Sequence, residues 1–231
     1  MSATRHDPYR LIHKALRLQL SETLVQIGRM DPDDAAEVAH ALAALEHLLD
    51  ALESHAFHEN RFLHAAIEAR IAGAAQQAED EHRAHRDEFA LLRELAETLT
   101  ATPRGERGPV ADQLYAELAR IVADQLLHMR GEEIDHNAAL WSAYSDEELR
   151  RLHGELVASI PREEMNRSLA LMMRALRHQE RVQLLTGMRT GMDDAAFQSA
   201  VAGLFSLLSP LDQRKLAVGL SLSGASRTLA V

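Results

Sequence analysis

Residues 45–62 read LEHLLDALESHAFHENRF, and this stretch decides the fold. Its apolar side chains recur every three or four residues, which is the spacing of one face of an α-helix. Towards the end of the stretch the same face changes from leucine to His55 and Glu59. The pattern predicts a helix that buries an imidazole and a carboxylate in a protein core.

Three other segments carry the same pattern on their apolar faces. Each predicted inward face is rich in leucine along most of its length and polar in one zone. The polar positions are His13 in the first helix, His82 and His85 in the third, and His128 and Glu132 in the fourth. The four helices are therefore expected to share one buried polar region.

Proline, glycine and capping residues place the long helices at about 7–28, from 32 to the late 60s, 74–101 and 109–141. Short loops between long helices make neighbours antiparallel, so an up-down-up-down four-helix bundle is expected over residues 6–141.

Shorter helices follow the predicted bundle. Ser145 and Glu148 have the spacing of a capping box, and a helix beginning at Pro161 is expected to end near Gly187. Further helices are expected to begin at Asp193 and Pro210. We predict an all-α protein whose C-terminal helical extension, residues 145–222, packs on the bundle.

Composition excludes several classes of function. The 231 residues include no cysteine, so disulfides, thiolate metal ligands and a thiol nucleophile are excluded. A net charge of −10 argues against binding to nucleic acid, which needs a basic face. The sequence contains no run of about 18 apolar residues, so no membrane span is predicted. The first residues have no apolar segment typical of a secretory signal, so a cytoplasmic location is expected.

Helix lengths predict which polar positions meet. His82 lies 19 residues before Ala101 and His128 lies 19 residues after Pro109, so the two should face each other. The arms of the first hairpin, measured to His13 and His55, differ by seven residues, about 10 Å along a helix. All four polar zones still fall towards the same end of the bundle.

Buried carboxylates need a partner, and no lysine or arginine lies on these faces. Imidazoles with carboxylates suit iron, manganese, zinc or copper. Two carboxylates that can bridge favour two metal ions over one.

The stretches HAFHENRF (55–62), EDEHRAH (79–85) and HMRGEE (128–133) resemble the hemerythrin HHE family. The resemblance covers about residues 6–141 and implies a four-helix bundle with a non-haem di-iron centre that binds or reacts with O2. By this resemblance the centre holds two ions (Fe2+/Fe3+) joined by an oxo or hydroxo bridge, and another transition metal remains an alternative. The implied ligands are His13 and His55 for one ion, His82 and His128 for the other, and Glu59 and Glu132 as bridges.

The sequence departs from the usual family pattern at two places. Arg86 stands four residues after His82, where the family has a second histidine, and the nearby His85 is a candidate substitute. On the fourth helix the family spacing selects Glu133, whereas the inward face selects Glu132. These departures weigh against reversible carriage of oxygen and leave iron binding in place.

Other histidines fit the predicted ligand positions less well. His58, beside Glu59, is interpreted as a variable ligand or as a residue that supports the ligands. His64 and His136 fall outside the predicted polar zone, so surface or capping roles are expected for both. A ferritin-like pairing of Glu79-x-x-His82 with Glu133-x-x-His136 ranks lower, because the two histidines are offset by eight residues, about 12 Å.

Three classes of function remain open. The first is oxygen, redox or iron sensing or binding, with O2 or related small oxidants as partners. The second is a di-iron enzyme with peroxide-consuming or oxidase activity. The third is a helical interaction module that needs no metal. The C-terminal helices are expected to cover the metal site, to form a homodimer face or to contact a protein partner.

Overall fold

A computed structural model describes residues 5–189, 191 and 193–220. All regular secondary structure within this described part is helical, as predicted. The described residues form two compact units, one up to Ser159 and one from Ile160 onward. The helix Asp146–Ser159 therefore belongs to the first unit, whereas the sequence analysis placed it in the C-terminal extension. The predicted limit of the extension at residue 222 lies outside the described residues.

Four long helices make up most of the first unit. They are α1 (Arg10–Arg29), α2 (Ala35–His58), α4 (Gln76–Ala101) and α5 (Gly108–Gly131). Helix α1 packs against α2 and α5, and α4 packs against α2 and α5, which closes a ring of four contacts. Leucines and isoleucines fill the space inside this ring.

Two of the long helices continue through a π-helical turn. Helix α2 passes through π1 (Glu59–His64) into α3 (Ala65–Arg70), and α5 passes through π2 (Glu132–His136) into α6 (Asn137–Ala143). A π-turn adds one residue to a helical turn and changes which later side chains face the core. Both candidate bridging carboxylates stand at the first position of such a turn.

Capping explains where the helices begin. Helix α2 begins three residues later than predicted, because the Asp34 side chain accepts hydrogen bonds from the backbone N–H groups of Ala36 and Glu37. The predicted capping box is confirmed: the Ser145 N–H donates to Glu148, and the Glu148 N–H donates to the Ser145 hydroxyl.

The helix α7 (Asp146–Ser159) packs against π1. Leu149 of α7 joins an apolar cluster with Tyr9, Leu63, Ile67 and Leu140. This second cluster joins α7 to π1, α3 and α6.

The second unit contains α8 (Arg162–Ala175), α9 (His178–Arg189), α10 (Asp194–Phe205) and α11 (Pro210–Gly219). The single helix predicted from Pro161 to Gly187 is wrong. The chain becomes extended at Leu176, and the Glu180 carboxylate accepts a hydrogen bond from the Arg177 N–H at the start of α9. Helix propensity alone did not reveal this break, because Leu176 and Arg177 are ordinary helix formers.

We expect Leu118→Ala to lower the free energy of unfolding by about 2–5 kcal/mol, because Leu118 is fully buried inside the ring of helices. Leu127→Ala on the same helix is the control, since its side chain is 69% exposed. Chemical denaturation of both variants measures the difference. Equal losses of stability would contradict the assignment of this core.

Candidate metal centre

One end of the ring of helices is polar and buried. Each of the four long helices, with the π-turns that follow α2 and α5, contributes to it. Two sets of four residues each bring one potential ligand atom apiece to within 4.8 Å of one another, and both sets contain Glu59 and Glu132. The first set adds His13 and His55, and the second adds His82 and His128. The structure thus brings together all six residues of the main sequence prediction.

The first set lies between α1 and α2. The Nε2 atoms of His13 and His55 are 3.0 Å apart, and His55 Nε2 lies 3.0 Å from Glu59 Oε1. His13 Nε2 also lies 3.6 Å from Glu132 Oε2. Two imidazoles and two carboxylates thus converge on one small volume.

The second set lies between α4 and α5. The Nε2 atoms of His82 and His128 are 2.8 Å apart, as the equal lengths of the hairpin arms predicted. His128 Nε2 lies 3.4 Å from Glu132 Oε1, and His82 Nε2 lies 3.6 Å from Glu59 Oε2. Each carboxylate therefore points one oxygen at the first set and the other at the second, which is the arrangement of a bridging ligand.

Outer residues fix the orientation of three imidazoles. Nδ1 of His128 donates to Glu81 Oε2 at 2.6 Å, and Nδ1 of His82 donates to Asn60 Oδ1 at 2.9 Å. His13 Nδ1 lies 3.1 Å from Glu133 Oε1, which also accepts from Arg17. An imidazole that donates through Nδ1 keeps the lone pair of Nε2 free when it is neutral. The Nε2 lone pairs of His82 and His128 then face each other, an arrangement that a cation between them stabilises.

Two further observations fit a cation. Glu59 and Glu132 are 1% and 2% exposed. Among the described residues, neither Oε2 atom has a hydrogen-bond partner. A buried carboxylate oxygen without a partner is unfavourable, and a bound metal ion supplies that partner.

Burial and mutual contacts shift the pKa values of the acids and imidazoles of the centre. Burial, reinforced by the Glu59 carboxylate, raises the pKa of Glu132 to about 8. Burial opposes the charging of His13, but hydrogen bonds with Glu133 and Glu59 raise its pKa to about 9. Burial lowers the pKa of His82 to about 2. Without a cation the site therefore holds protons at neutral pH, while His82 stays neutral.

The expectation that His64 and His136 serve surface or capping roles is wrong. Both are buried, and they form a third set of potential ligands with Glu132. His64 Nε2 lies 3.4 Å from Glu132 Oε1, and its ring stacks on that of His82 with centroids 5.3 Å apart. His136 lies on the same face as His128 and Glu132 at four-residue steps, a signal that was present in the sequence.

The less certain candidates lie outside these sets. His58 is buried with its Nδ1 3.3 Å from the Ser159 hydroxyl. The His85 ring packs 5.0 Å from that of His128 and stacks on Phe89. Glu133 contacts His13 from the outer side, so it supports an imidazole where Glu132 reaches the centre.

The fold and the centre define a helical-bundle protein with a cation-binding site of histidines and glutamates. A profile of the hemerythrin HHE cation binding domain matches residues 7–137, more than half of the chain. The chain belongs to this family. No curated protein and no solved structure matches it. Within the described residues, no helix has the length and apolar character needed to cross a membrane.

We expect Glu81→Ala to weaken binding of a divalent cation by about 10- to 100-fold, because it removes the acceptor that orients His128. Competition for zinc(II) with a chromophoric chelator measures the affinity. Asp80→Ala is the matched control, since this neighbouring exposed carboxylate pairs with Arg83. Equal affinities for the two variants would show that Glu81 does not support the centre.

Proposed function

We propose that this protein holds two non-haem iron ions and binds or reacts with O2, in oxygen, redox or iron sensing or binding. The observation that carries the proposal is the pair of four-residue sets that share two carboxylates. His13 and His55 would hold one ion, His82 and His128 the other, and Glu59 and Glu132 would bridge them. Residues 6–141 are the metal-binding domain in this proposal, with α1, α2, α4 and α5 running up-down-up-down.

The donor set supports iron. Imidazole and carboxylate ligands suit divalent transition metals, and the chain has no thiolate to compete for them. Two buried carboxylates offset part of the charge of two cations. Bound iron supplies one-electron redox chemistry towards O2, which no side chain of the site provides on its own.

The chain's own residues prepare the centre. Glu81 and Asn60 hold two imidazoles with Nε2 directed inwards, which limits the reorganisation that metal binding requires. The stacked ring of His64 adds an imidazole beside His82, on the set that lacks the histidine replaced by Arg86. Phe89 and Met129, both almost fully buried, form apolar walls beside the polar zone.

An enzymatic role is the second candidate. A cavity of about 430 Å³ is lined in part by His55, His82 and His128, so a small molecule can approach three proposed ligands. Sustained turnover of hydrogen peroxide by iron-loaded protein would favour this role. Binding of O2 without turnover would favour sensing or binding.

Metal stoichiometry tests the proposal directly. After anaerobic reconstitution with ferrous iron and desalting, elemental analysis should find about two irons per chain. Either His55→Ala or His128→Ala should leave about one, because each removes a ligand from a single set. Glu132→Ala should reduce both sites, and its absorption spectrum in air should change most.

His40→Ala is the control for these variants, because His40 is exposed on α2. Circular dichroism verifies that each variant remains helical. A wild-type protein that holds no iron after reconstitution would refute the proposal and favour a helical interaction module.

Metal affinity should fall steeply at acid pH. Below a pKa of about 8 for Glu132 and about 9 for His13, a cation must displace a proton from each. One or two displaced protons correspond to an affinity that falls about 10- to 100-fold per pH unit. Zinc(II) competition titrations at pH 6, 7 and 8 measure the slope. A flat affinity over this range would contradict these protonation states.

A further inference from the structure

The cavity beside the centre has mostly apolar walls. Its volume is about 430 Å³, and Leu52, Phe57, Phe89 and Met129 contribute to its lining. Cavities of this size and character suit small organic ligands. Residues of α2, π1, α4 and α5 line it.

One cation lines the cavity and lacks an acidic partner. Over the residues that the structure describes, no carboxylate lies at ion-pair distance from Arg86, whose guanidinium makes one long hydrogen bond of 3.3 Å to the His82 carbonyl. Two other arginines of α4 differ. Arg83 pairs with Asp80, and Arg93 pairs with three carboxylates including Glu53. Glu53 also lines the cavity, but Arg93 already neutralises it.

Arg86 is exposed to solvent, whereas a second hydrogen-bond donor of the cavity wall is buried. Gln125 of α5 lines the cavity and is 4% exposed. Its side-chain Nε2 has no hydrogen-bond partner in the described part of the chain. A buried donor without a partner is unfavourable, so an acceptor placed in the cavity would stabilise this side chain. Arg86 and Gln125 belong to helices that pack against each other.

We propose that this cavity binds a small organic carboxylate. The carboxylate oxygens accept hydrogen bonds from Arg86 and Gln125, and the hydrocarbon part lies against Phe57 and Phe89. A neighbouring cavity of about 470 Å³ is unsuited to an anion, because Glu81, Glu88, Asp124 and Asp135 line it. The binding rests on side chains of this protein and holds with or without cations in the centre.

Benzoate is the probe, and benzamide is its neutral counterpart of the same shape. Isothermal titration calorimetry of the full chain, zinc-loaded and metal-free, should detect benzoate binding in both forms. Arg86→Gln should weaken it by about tenfold or more, since it removes a charge-assisted hydrogen bond. Gln125→Met keeps the side-chain volume and should weaken benzoate as well.

Arg83→Gln is the matched control, because Arg83 lies on the same helix, is exposed and does not line the cavity. Equal weakening by Arg83→Gln and Arg86→Gln would overturn the proposal, and so would benzamide binding as tightly as benzoate. Benzoate binding confined to zinc-loaded protein would also overturn it, because the anion would then be a metal ligand. Failure of the protein to bind benzoate at millimolar concentration would overturn the proposal too. The metal stoichiometry measured above tests the metal centre independently of this result.

Discussion

The rest of the structure depends on the burial of Glu59 and Glu132. Two carboxylates almost completely removed from water are unfavourable unless positive charge lies beside them. Burial keeps the His82 imidazole neutral, so His82 is suited to hold a cation and supplies no positive charge itself. Although burial opposes it, hydrogen bonds with Glu133 and Glu59 raise the pKa of His13, so this imidazole carries a proton when no cation is bound. Arg17 pairs with Glu133 on the outer side of His13. A buried pair of carboxylates of this kind favours a bound cation.

The long helices stabilise the bundle enough for a chain of this size to bury a polar centre. Leucines and isoleucines over most of each helix supply the packing, so the polar end does not have to stabilise the bundle alone. Rigid helices also carry ligands that are far apart in the sequence to within one small volume. Each π-turn starts at one of the two shared carboxylates and ends at another buried histidine, His64 or His136.

Periodicity predicted the four long helices and the six main residues, since those residues stand on apolar faces that continue into the π-turns. The observed difference in length between the two arms of the first hairpin is smaller than predicted. From Ala35 to His55 is 20 residues rather than the 23 counted from Pro32, which reduces the difference from seven residues to four. His64 was missed because a regular helix would turn it away from Glu59, and only the π-turn brings it back. The break at Leu176 was hidden because it depends on the Glu180 side chain rather than on a proline or glycine.

Arg86 stands where the family has a histidine, and it lines the cavity beside the centre. A histidine at this position would add a ligand to the second set, and an arginine, always protonated, adds none. Arg86 instead places a cation on the wall of the adjoining cavity. A centre with fewer protein ligands leaves more room for an external molecule, and an arginine beside it selects that molecule by charge. Arginine at this position thus argues against simple oxygen carriage. It also favours binding of an organic anion in the cavity beside the centre.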